Sequence, residues 1–83
     1  MKFKWESDED GQDLTCKFYD YTLRVEQMDK KYWWWRVYYK NKTIETPLNE
    51  YAARKWQAIG FTEGICLMHV KFHCPELWIK IID

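Results

Sequence analysis

The chain has 83 residues, 47% of them hydrophobic and 31% charged, with a formal net charge of zero. That length holds one domain, residues 1–83, and excludes two packed ones; the composition is globular rather than disordered. A neutral total argues against bulk, sequence-independent binding of nucleic acid, which rests on neutralising many phosphates.

Lys2 to Glu6 alternates, with Phe3 and Trp5 on one side, and reads as a first strand. Ser7 to Asp13 is polar, with Gly11 as its breaker. Leu14, Cys16 and Phe18 alternate next, after which the apolar phase shifts by one to Tyr19, Tyr21, Leu23 and Val25. A one-residue slip reverses the faces of a strand, so a bulge or break is expected near Tyr19 and Asp20. Asp29-Lys30-Lys31 then joins Tyr21–Gln27 to Tyr32–Lys40 in a hairpin. A three-residue loop sets Met28 opposite Tyr32 and Leu23 opposite Val37, which gathers the apolar residues on one face. Asn41-Lys42 makes a second tight turn that sets Tyr39 opposite Ile44.

Thr46-Pro47 has the form of a helix start, and Leu48, Tyr51, Ala52, Trp56 and Ile59 recur at spacings of three and four. A helix over 47–59 follows, ended by Gly60. Cys66, Met68, Val70, Phe72 and Cys74 alternate with His69, Lys71 and His73, and Leu77 to Ile82 is rich in β-formers; both read as strands on either side of a turn at Pro75-Glu76. The expected fold is α+β: an antiparallel five- or six-stranded sheet with a single helix packed on one face.

Chemistry-bearing groups are sparse. Glu6-x-Asp8-x-Asp10-Gly11 resembles the start of a calcium loop, but its twelfth position is Lys17 where a bidentate Glu is needed, so it reads as a solvated acidic loop. Cys66, His69, His73 and Cys74 are zinc-ligand types, and on a helix the first three would share a face; on a strand, cysteines and histidines diverge. Three isolated glycines and a single Ser7 support neither a phosphate-cradling loop nor a serine triad. The expectation is therefore no enzyme, no cofactor and no metal. Three cysteines form an odd set, and no long apolar leader is visible near Met1, so reduced thiols in a cytoplasmic protein without a membrane span are expected.

The most informative run is Tyr32-Trp33-Trp34-Trp35-Arg36-Val37-Tyr38-Tyr39, with six aromatic rings in eight residues. Strand alternation puts Trp33, Trp35, Val37 and Tyr39 on a core face and Tyr32, Trp34, Arg36 and Tyr38 on the other. The charge distribution supports interest in the second set, since residues 21–57 carry eight bases against four acids. Tyr32, Trp34, Arg36, Tyr38 and Lys40, with Arg24 and Lys42 beside them, form the candidate partner-binding surface. Trp, Tyr and Arg dominate protein hot spots, which fits a macromolecular protein partner; rings interleaved with cations also suit single-stranded nucleic acid, the alternative. Exposed aromatics serve equally in a homodimer.

The Trp-rich hairpin, followed by a short helix containing Ala52, Ala53 and Ala58, resembles many small phage-encoded α+β inhibitors of host defence, such as anti-CRISPR proteins, over residues 19–60. That resemblance implies a non-enzymatic inhibitor that occludes a surface of a larger host protein or nucleoprotein complex. It carries over no site residue, because such inhibitors share no common site.

Overall fold

The computed structural model describes residues 3–46 and 49–82. Six strands form one antiparallel sheet: β1 (Trp5–Ser7), β2 (Asp13–Phe18), β3 (Tyr21–Asp29), β4 (Tyr32–Tyr39), β5 (Lys42–Thr43) and β6 (Tyr51–Ala52). β1 to β4 follow in order as a meander; β5 and β6 share the far edge of β4, β5 against its end and β6 against its start. Two helices, α1 (Lys55–His73) and α2 (Pro75–Ile82), complete an α+β fold, and α1 lies across the sheet. None of the described helices is long and apolar enough to cross a membrane.

The hairpins explain the phase of the sheet. The shift at Tyr19 and Asp20 is a two-residue turn, with Tyr19 at φ 55° and Phe18 paired with Tyr21. Leu23 does face Val37, but by a different route from the three-residue loop. Lys30-Lys31 is the turn, Asp29 pairs with Tyr32, and a bulge between Gln27 and Asp29 removes Met28 from the ladder. The next turn is Lys40-Asn41, both with positive φ (49° and 68°), so Tyr39 faces Lys42. Ile44, expected opposite Tyr39, instead donates its N–H to the Val37 carbonyl. Two successive left-handed residues match the twist of a two-residue hairpin, which explains the one-residue difference.

The C-terminal half departs furthest from expectation. Pro47 and Leu48 lie outside the described residues, and the segment read as helix instead supplies β6, with the Trp35 N–H bound to the Glu50 carbonyl. The helix begins after Arg54 and continues through Gly60 and Gly64. Of residues 65–74, read as a strand, 65–73 are helical because Ala58, Thr62, Cys66 and Val70 recur every fourth residue and all four are buried. Local β-propensity yields to that tertiary contact. Pro75 disfavours helical backbone at the preceding residue, and Cys74 breaks the helix at φ −133°, ψ 65°. Pro75 then opens α2 where a last strand was expected.

The core lies between one sheet face and α1. Leu14, Cys16, Phe18, Tyr21, Leu23, Val25, Trp35 and Val37 supply the sheet side, with Trp33 and Tyr39 half-buried at the ends of β4. Trp35 stacks near Phe61, with ring centroids 5.6 Å apart, and its indole N–H is buried without a partner among the described residues. Trp5 at the opposite edge donates its indole N–H to Glu63 on α1 at 2.8 Å.

Replacing Trp35 by Ala is expected to cost about 3–5 kcal/mol. Trp35→Phe should cost less than half as much, since it removes a buried unpartnered N–H whose burial costs about 1–3 kcal/mol. Urea unfolding followed by circular dichroism measures both, and equal costs would show that the indole N–H is satisfied.

Candidate functional site

The sheet face turned away from α1 is a set of cross-strand rows. One row holds Glu6, Thr15, Arg24 and Arg36; a second holds Asp13, Glu26, Trp34 and Tyr51; a third holds Lys17, Thr22, Tyr38 and Thr43. Both helices stand on the other side or beyond the sheet, so this face has no covering element among the described residues.

Arg24 and Arg36 sit directly opposite each other on β3 and β4, a repulsive placement unless each is neutralised. Both are. Arg24 Nη2 reaches the two carboxylate oxygens of Asp13 at 3.1 and 3.2 Å, and Arg36 donates to Glu50 in the loop before β6. The Glu50 hydrogen bond raises the Arg36 pKa further above its ordinary value. Arg36 also lies over the Trp34 ring, 5.5 Å from its centroid. Tyr32 packs edge-on against Tyr51 at 5.2 Å, and these two rings are among the exposed aromatics. Beside them, Thr15, Lys17, Thr22, Arg24, Tyr38 and Asn41 line an open depression of about 370 Å³.

Tyr32, Trp34, Arg36, Tyr38 and Arg24 thus gather on one face. Lys40 and Lys42 do not join them. Lys40 leaves the strand at φ 49°, with its ammonium 5.3 Å from the Tyr39 ring, and Lys42 pairs with Tyr39 on the opposite face parity. Three contributors were not picked out from the sequence: Tyr51, which extends the aromatic row, and Asp13 and Glu50, which hold the arginines. A signal for Tyr51 existed, because the two-residue β5 leaves half of the β4 edge open and an eight-residue aromatic strand needs that edge paired.

A second polar cluster stands where α1 ends. The Tyr21 hydroxyl lies 2.6 Å from His69 Nδ1 and 3.5 Å from Cys74 Sγ, which is 3.6 Å from the Tyr39 hydroxyl. His73 stacks on His69 at 4.3 Å. Helical spacing brings the histidines together, yet Cys66 points into the core, and no group of three or more His, Cys, Asp or Glu among the described residues could hold a metal. Burial pushes the Cys66 thiol up to about 12 and also raises Tyr21, helped by its hydrogen bond to Cys74. The acidic loop likewise serves structure: Asp8 accepts the backbone N–H groups of Gln12 and Asp13.

No known family model, curated protein or solved structure matches this chain.

Burial, and secondarily His73, lowers the His69 pKa below the ordinary 6.5. The unfolded chain therefore takes up this proton first, and stability present above pH 6.5 is lost as pH falls toward the folded value. Melting temperature should drop on acidification from about pH 7.5 to about pH 5.5, and His69→Gln should flatten that part of the profile. An unchanged slope in the variant would assign it to other groups.

Proposed function

We propose that this chain is a small non-enzymatic binding module whose outer sheet face docks on a larger protein or nucleoprotein complex and occludes it. The observation that carries this reading is the Arg36–Trp34 stack, held by Glu50 on an uncovered face beside Tyr32, Tyr38 and Tyr51. Trp, Tyr and Arg are the residues that anchor protein interfaces, and here their orientation is set before any partner arrives, which lowers the ordering cost of binding. An inhibitor of the phage-encoded kind, acting by occlusion in the cytoplasm, is the specific form of this reading, and its three cysteines are free thiols.

Nucleic acid is the less favoured partner. Stacking platforms exist, but both arginines on the face already meet carboxylates, Glu6 shares their row, and Asp13 and Glu26 lie in the neighbouring one. Phosphates would have to displace a carboxylate at each arginine, which leaves Lys17, bonded to the Thr22 hydroxyl, as the cation without a carboxylate on this face among the described residues.

Arg36→Ala should lower stability by no more than about 1 kcal/mol, as expected of a partly exposed ion pair, and circular dichroism checks that the Trp34→Ala/Arg36→Ala variant used as the probe is folded. Affinity capture from the native host, comparing this variant with wild type, is expected to show loss of the retained partner. Equal capture would move the site off this face. Titration with labelled single-stranded oligonucleotides should show no binding at about 0.1 M salt, whereas affinity that falls steeply with salt would establish the nucleic-acid alternative.

A further inference from the structure

The solvent side of α1 carries a row of residues four apart: Trp56, Gly60, Gly64, Met68 and Phe72. It runs opposite the buried row Ala58, Thr62, Cys66 and Val70. Trp56 is 68% exposed, Met68 58% and Phe72 69%, with Phe61 alongside at 40%. A helix that covers a sheet on one side ordinarily shows charge on the other, and one that is apolar all round is ordinarily buried all round. Here the charges are few: Glu63 turns toward the sheet edge, while Lys71, seven residues from Gly64, stays on this face. Glu63 reaches to Trp5, and the Lys71 ammonium folds over the Phe72 and Trp78 rings at 5.7 and 6.0 Å.

The two glycines sharpen the anomaly. Each costs a helix interior up to about 1 kcal/mol relative to Ala. No packing contact among the described residues requires them, because beyond the helix's own backbone a Cβ at Gly60 or Gly64 would meet no atom within 4 Å. Their hydrogen-only surface has a use only if something outside the chain comes close to the backbone.

We propose that two copies of this chain pair antiparallel across this face, with Gly64 at the two-fold axis. The row is self-complementary about that residue. Gly64 meets Gly64 of the second copy, each Met68 seats over the other copy's Gly60, and each Trp56 meets the other copy's Phe72. Side chains four apart form the ridge that interdigitates in the commonest class of helix packing, and glycine lets such ridges approach closely. An isologous contact of this kind closes after two copies. The exposed parts of Trp56, Phe61, Met68 and Phe72 amount to roughly 500 Å² per copy, so the pair would bury at most about 1,000 Å², which is the lower limit for a specific interface. The outer sheet faces would point away from each other, so this pairing is independent of the binding reading above and would make it bivalent.

Sedimentation velocity at about 100 µM should give wild type twice the 10.4 kDa chain mass. Gly64→Leu, which fills the axis, should run as a monomer with its helical circular dichroism intact. Gly60→Ala/Gly64→Ala should weaken the dimer at least about tenfold while raising the melting temperature at dilute concentration, since alanine favours the isolated helix. A wild type that stays monomeric overturns the proposal, and does so in favour of a lipid surface if that monomer binds phosphatidylcholine vesicles. A dimer that survives Gly64→Leu, or that is lost only in Trp34→Ala/Arg36→Ala, overturns it as well.

Discussion

The structure depends on the fit between a bulky sheet face and a helix lined with small side chains. The sheet contributes Trp35, Tyr21, Leu23, Val25 and Val37, while α1 meets them with Ala58, Thr62, Cys66 and Val70. Small residues every fourth position bring the helix axis down onto the sheet, so the large rings fill the space between them. In a chain of 83 residues this single contact is most of the core, and every other element is arranged around it. The buried Thr62 hydroxyl is accommodated too, since it donates to the Ile59 carbonyl at 2.8 Å.

That contact settles which sheet face is free. With α1 on the Trp35 side, the rows containing Arg24, Arg36, Trp34 and Tyr38 turn outward as a set. Two arginines placed directly opposite would repel, and the fold answers with a carboxylate for each, one from β2 and one from the loop before β6. The result is a surface rich in rings and oriented hydrogen-bond donors but balanced in charge. Such a surface suits recognition by shape and directional polar groups more than by net charge, which is the ground for proposing a protein partner over a polyanion. The cluster of Tyr21, Tyr39, His69, His73 and Cys74 is a different kind of feature: it joins the sheet to the end of α1 and couples that junction to pH.

The apolar helix row is the counterpart of the polar sheet face. One side of the molecule is aromatic, charged and oriented; the other is apolar with a gap of two glycines at its middle. On the two proposals above these unlike surfaces serve separate associations, one with a second copy and one with a partner, and changes to one need not disturb the other.

The meander was legible from the sequence because strand alternation is a local signal: the apolar phase in 14–25 and 33–39 identifies the buried face without knowledge of what buries it. The split of the aromatic run, with Trp35 and Val37 inward and Trp34 and Arg36 outward, followed from that phase alone. The register held at Leu23 and Val37 because matching apolar faces constrain it, although the turn and the bulge at Met28 differ. The helical half was not legible. Residues 65–74 satisfy both a period of two and a period of four, and only the presence of the sheet, which rewards small side chains at the four-residue period, selects the helix. Position 50 carries no local sign that its carboxylate will reach Arg36, fourteen residues away, nor position 13 that it will hold Arg24. Local alternation was enough to say which side chains must hide and that more rings exist than one core can hold; where α1 lies, and hence which of those rings and cations face outward together, depends on contacts between residues far apart in the chain.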